Sequence, residues 1–138
     1  MANLMHEHHS YKFKEVSHSP VRSVNFIFGI FLFAIAFFFM FSREILVGPS
    51  YQLDAFLLIF SGFLSIWAGM AEKVKTIYWL NIGIAVLFFV SAAFIGFFRA
   101  NDMEWVIGRA FDHTGGDLVI HTFFGLVFLY NALSCRQD

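Results

Sequence analysis

Residues 76–98 read TIYWLNIGIAVLFFVSAAFIGFF, 23 positions without an Asp, Glu, Lys or Arg, bounded by Lys75 and Arg99. A helix that crosses a bilayer needs about 20 mostly apolar residues, within a range of roughly 17–25. Outward from this stretch the same pattern returns three times. There are 20 uncharged residues between Arg22 and Arg43, 17 between Asp54 and Glu72, and 18 between Asp117 and Arg136. The chain is 59% hydrophobic and 14% charged, whereas soluble domains carry about 25% charged residues. The pattern predicts an all-α membrane protein, a four-transmembrane-helix bundle with spans at about 24–42, 54–71, 76–98 and 117–135. A polar tail, 1–23, precedes this membrane domain, 24–138.

Other classes fall away on composition and motif. One cysteine, Cys135, and a net charge of −1 suit neither a disulfide scaffold nor a nucleic-acid binder. The sequence contains no phosphate-binding glycine loop, no C-x-x-C and no H-E-x-x-H, so no familiar catalytic constellation is expected. The first apolar stretch begins after a long polar segment and is too long for a signal-peptide core, so it reads as a retained span. Lys12, Lys14, Arg22, Lys73, Lys75 and Arg136 flank one side, and Arg43, Arg99 and Arg109 the other. Because cytoplasmic flanks carry the excess of Lys and Arg, this bias puts both termini in the cytoplasm.

The four helices read as two copies of one hairpin. A shift of 56 lays Asn25 on Asn81, Phe33 on Phe89, Ala36 on Ala92 and Arg43 on Arg99. A shift of 63 lays Asp54 on Asp117, Phe60 on Phe123 and Gly62 on Gly125, with Trp67 on Tyr130. The second outer loop is longer by the difference. Two-span units of this kind share one orientation, related by an axis along the membrane normal. Within the longer loop, Met103, Val106, Ile107, Ala110 and Phe111 recur at helical spacing, which predicts an interfacial helix over about 102–112 that ends at Gly115-Gly116.

Small residues let helix backbones approach in lipid, where apolar side chains gain nothing by meeting each other. Ser61, Gly62, Ser65 and Gly69 mark such a face on the second helix, Ala92 and Gly96 on the third, and Gly125 on the fourth. The first helix carries eight phenylalanines between Phe26 and Phe41. Four spans cannot enclose that many, so the outer surface must be aromatic, set against lipid or another membrane subunit.

Ionisable groups inside a span are functional candidates by default. His121 stands one turn after Asp117 and one turn before Gly125. A neutral imidazole with a carboxylate as its supporting partner and a glycine giving room for a flat ring suits an axial ligand of haem or chlorophyll. The equivalent position in the first hairpin is Leu58, so the repeat offers no second histidine. Asp54 and Asp117 are expected to open their helices as N-caps, with Arg43 and Arg99 closing theirs. Asn25, Asn81 and Asn131 are expected to hydrogen-bond between helices. In the tail, His6, His8, His9 and His18 are a compositional hint of metal binding. There, too, Tyr11, Lys12, Phe13 and Lys14 alternate aromatic and basic side chains, which suits an anionic membrane surface or the edge of a partner.

Arg22-x-x-Asn25 at the head of the first helix, together with Asp117-Leu-Val-Ile-His121-Thr-Phe-Phe-Gly125 in the last, resembles small four-span bacterial membrane proteins catalogued as a domain of unknown function. Such proteins tend to carry a His-x3-Gly stripe in the second and fourth helices. Here the fourth helix keeps it and Leu58 replaces it in the second. The resemblance covers roughly residues 22–135 and implies no activity. The functional expectation is a non-catalytic accessory or scaffold subunit of a larger membrane complex, in a bacterial inner membrane or an energy-transducing membrane. Its expected neighbours are bound lipid and other integral subunits, without nucleic acid or cofactor. The alternatives are a haem- or chlorophyll-binding subunit using His121, and a small channel or transporter.

Overall fold

The computed structural model describes residues 20–46, 52–101 and 115–136. All the regular structure there is helical: α1 (Pro20–Leu46), α2 (Gln52–Met70), α3 (Val74–Ala100) and α4 (Gly115–Leu133), with no strand among the described residues. The helices are 27, 19, 27 and 19 residues long, so the two hairpins match in length. α1 and α3 contain stretches long and apolar enough to cross a membrane, Pro20–Phe38 and Val74–Phe98. α2 and α4 carry shorter apolar stretches, Ala55–Met70 and Leu118–Leu133.

The helix ends follow from local chemistry. Pro20 opens α1, where its missing N–H costs nothing and its fixed φ already suits a helix. Lys73 opens α3 by offering its carbonyl to the N–H groups of Thr76 and Ile77, at 2.9 and 3.2 Å. At the far end of α3, Asn101 donates both its backbone N–H and its side-chain amide to the carbonyl of Phe97. α4 closes on tighter bonds, from Cys135 N–H to the Ala132 carbonyl and from Arg136 N–H to that of Leu133.

Several boundaries differ from the sequence reading. Pro20–Ser23 belong to α1 rather than to the tail, because helical hydrogen bonding does not stop where polarity changes; for the same reason α1 runs on past 42. Gln52 and Gly115 stand two residues before Asp54 and Asp117, so these two residues fall within the first helical turn. Gly115 and Gly116 begin α4. The tail residues 1–19 and the expected interfacial helix at 102–112 lie outside the described residues.

Only three residues, Ala71-Glu72-Lys73, join α2 to α3, which makes these helices antiparallel neighbours. The principal packing is nonetheless within each hairpin, α1 on α2 and α3 on α4, with a smaller α2–α3 contact. One apolar cluster spans the middle of the bundle: Leu32 and Ala36 from α1, Leu58 from α2, Ile84, Ala85 and Phe88 from α3, Phe124 and Phe128 from α4. A second gathers at the end that holds the α2–α3 linker, from Val21, Ala68, Ala71, Ile77 and Cys135. All four helices contribute to the first cluster, and the second joins three of them to Cys135 just past α4.

The outside is apolar as well. Phe31 and Phe38 of α1, Phe63 and Trp67 of α2, Phe94 of α3 and Tyr130 of α4 are each at least half exposed.

Candidate functional site

In so apolar a molecule, the buried polar groups are the places where chemistry could occur. Six described residues qualify: Asn25, Ser61, Ser65, Asn81, His121 and Asn131. They fall into two groups at different heights.

The first group is a layer between the two apolar clusters. A residue three or four positions along a helix lies one turn away, about 5–6 Å higher or lower on the same side. On α1, Asn25 follows Val21 of the linker-end cluster and precedes Phe28, which packs on the central cluster. On α3, Asn81 stands between Ile77 and Ile84 in the same way. On α4, Asn131 stands between Phe128 and Cys135, and on α2, Ser65 stands one turn from Ala68, with Ser61 a further turn toward Leu58. Thus each helix contributes a polar residue to one level.

Hydrogen bonds satisfy only part of this layer. Ser65 Oγ donates to the backbone carbonyl of Asn25 at 2.7 Å, tying α2 to α1. The Asn81 amide donates back to the carbonyl of Ile77 in its own helix at 2.8 Å, and the Cys135 thiol donates to the Asn131 carbonyl at 3.4 Å. Four amide atoms of this layer have no hydrogen-bonding partner among the described residues, Asn25 Nδ2 and Oδ1, Asn81 Oδ1 and Asn131 Nδ2, and Ser61 Oγ, higher on α2, has none there either. The three asparagine side chains therefore do not bond to one another across the helices, contrary to the sequence expectation. Leaving one buried polar atom unpaired costs about 1–3 kcal/mol.

The second group lies between α3 and α4. His121, 2% exposed, hydrogen-bonds through Nδ1 to Ser91 Oγ. Its ring also meets Phe88 edge-on, with centroids 5.7 Å apart. Phe88 in turn stacks on Phe128 and tilts against Phe124. Sequence reasoning named Asp117 as the partner of this histidine. The Asp117 side chain lies outside the described residues, and Ser91, which the structure supplies, was missed. Ser91 stands on the other helix of the hairpin, so no spacing within α4 could point to it. The room beside Gly125 is taken: a Cβ there would come within 2.7 Å of the Phe89 ring. The Phe89 ring of α3 thus packs on Gly125, one turn from His121.

No protein-family model matches the chain, and no curated protein or solved structure does. What the molecule does must be argued from this geometry.

The small residues of α2 all face α1 or the interior. Ser61 and Ser65 are fully buried. A Cβ on Gly62 would meet the Gly29 carbonyl at 3.1 Å, and one on Gly69 the Phe26 nitrogen at 2.9 Å. The tightest point is Gly29, whose Cβ would lie 2.8 Å from the Ile66 nitrogen and 2.9 Å from the Gly62 carbonyl. Gly29 was missed among the phenylalanines of α1, although a glycine set in a run of bulky residues is itself the signal of close approach. In the second hairpin Ala92 is buried, and Gly96 has only Leu118 nearby, at 3.7 Å from a Cβ.

At the linker end, Arg22 donates from Nη2 to the carbonyl of Glu72 at 2.6 Å. Arg136 lies over the Tyr78 ring, 5.6 Å from its centroid, a cation–π contact. Tyr11, Lys12, Phe13 and Lys14 lie outside the described residues, as do His6, His8, His9 and His18. Among the described residues, no three His, Cys, Asp or Glu side chains converge as metal ligands would.

Proposed function

We propose that the chain is a four-span integral membrane protein with both termini in the cytoplasm, serving as a non-catalytic accessory or scaffold subunit of a larger membrane assembly. The observation that carries the reading is the distribution of polarity. Large apolar side chains point outward from all four helices, while asparagine, serine and histidine are buried between them. Water would penalise such a surface, and a monomeric soluble protein rarely exposes apolar patches beyond a few hundred Å². Lipid tolerates it, and buried polar groups then act between helices.

Dimensions agree. At 1.5 Å per residue the 19-residue helices α2 and α4 are about 28 Å long, close to the roughly 30 Å hydrocarbon thickness. The 27-residue helices α1 and α3 reach about 40 Å, enough to pass through the headgroups. Arg22, Lys73, Lys75 and Arg136 gather at the linker end, the side that the positive-inside rule assigns to the cytoplasm. A scaffold role is supported by what the buried groups do. Ser91 and Phe88 engage His121, and Ser65 engages the α1 backbone; each serves packing. The aromatic outer face is left to meet lipid and a neighbouring subunit.

The test is native purification in a mild detergent, with mass and absorbance measured on the same fraction. The proposed function predicts that the protein stays with the membrane through an alkaline wash and then migrates with a much larger, otherwise assembled complex. Release by the wash would overturn the membrane reading, and a particle of the protomer's own mass would overturn the scaffold reading. A Soret or chlorophyll band abolished by His121→Leu would replace it with the cofactor-binding alternative.

A further inference from the structure

We infer that the level occupied by Asn25, Asn81 and Asn131 is an internal hydration site, whose water molecules bridge the first hairpin to the second. The inference rests on burial and hydrogen-bonding chemistry inside the bundle and holds whatever partner meets the outer surface. Its lining offers two amide donors, Asn25 Nδ2 and Asn131 Nδ2, and two amide acceptors, Asn25 Oδ1 and Asn81 Oδ1. Water both donates and accepts, so it matches such a mixed set.

Rotating the amides does not remove the need. Exchanging O and N in Asn25 leaves both of its atoms unpartnered. Asn81 is fixed, because its Nδ2 donates to the Ile77 carbonyl and an oxygen there would face another oxygen. A bound ion fits worse. A cation would find no carboxylate among these residues to offset its burial, and an anion would face Asn25 Oδ1 and Asn81 Oδ1.

The layer also has a doorway. Arg22 stands one turn nearer the linker end than Asn25, and its buried Nε lacks a hydrogen-bonding partner while Nη2 bonds to the exposed linker at Glu72. This guanidinium leads from the solvated rim to the polar level. Water bridging there would join hairpins that otherwise meet through a small α2–α3 contact and the apolar clusters.

The experiment uses the full chain in lipid bilayers, labelled with 15N-asparagine and 15N-phenylalanine, and reads magnetisation transfer from water. Single Asn→Gln variants assign the side-chain signals. Rapid transfer to the side-chain amides of Asn25, Asn81 and Asn131, at least tenfold faster than to the backbone amide of Phe88 in the apolar cluster, is expected. Transfer as slow as that to Phe88 would overturn the inference. So would signals that move when the salt is exchanged at constant ionic strength, because an ion would then occupy the layer. A second measurement pairs Asn25→Leu with Asn131→Leu, which lie in different hairpins. Bridging predicts that the unfolding constant of the double variant departs from the product of the single effects by roughly threefold or more; a smaller departure would contradict it.

Discussion

The two hairpins share a length pattern, yet they are held together differently. In the first, backbone meets backbone: Gly29, Gly62 and Gly69 bring α1 and α2 so close that an added Cβ would fall about 3 Å or less from main-chain atoms of the facing helix. In the second, side chains fill the space. Phe88, Phe124 and Phe128 interleave, Phe89 covers Gly125, and Ser91 hydrogen-bonds to His121. The equivalents of Ser91 and His121 in the first hairpin are Ile35 and Leu58, both apolar. One hairpin plan thus accepts either close backbone contact or an aromatic layer with one polar pair. The choice is local to each helix pair.

The sharpest way to break this comparison is to add bulk where each hairpin is tightest. Gly29→Leu must force α1 from α2, since the atoms it meets include the Ile66 nitrogen and the Gly62 carbonyl. We expect a loss of at least about 3 kcal/mol in detergent unfolding. Gly125→Ala meets only the ring of Phe89, which is partly buried and can turn aside; the same measurement should show about 1 kcal/mol. Equal costs would refute the distinction between backbone and side-chain packing.

The polar pair offers a subtler test. His121→Leu alone strands the Ser91 hydroxyl and should cost about 1–3 kcal/mol. Adding Ser91→Ile copies the first hairpin, and stability should return to within about 1 kcal/mol of the parent, because removing both partners is far cheaper than removing one. Failure of the double substitution to recover stability would mean that the two hairpins do not share a register.

The smallest effect has the opposite sign. Among the described residues nothing lies within 4 Å of a Cβ built on Gly83, so Gly83→Ala should stabilise α3 by about 0.5–1 kcal/mol through helix propensity alone. Thermal unfolding of the two proteins side by side checks it.

The helices themselves were legible because charge-free runs bounded by charges report directly on length. Their ends were less so. Polarity marks where a segment would leave an apolar layer, but the hydrogen-bonded helix runs on through Arg22 and past 42. The stripe of small residues on α2 could be read from spacing within one helix. The partner of His121 could not, for it depends on the register between α3 and α4, which a long loop leaves open to sequence reasoning. The asparagines were recognised as a set. That their side chains do not bond to one another depends on how the helices pack, which a sequence does not state.

The central claim, that the outward faces of all four helices meet hydrocarbon, is tested most directly by spin-label accessibility in reconstituted bilayers. On a Cys135→Ala background, single substitutions Phe31→Cys, Phe63→Cys, Phe94→Cys and Leu126→Cys place one label on the outer face of each helix. At all four sites the account predicts strong collision broadening by oxygen and little by a water-soluble nickel complex, the signature of a lipid environment. Labels that respond chiefly to the nickel complex would place those faces in water and contradict it.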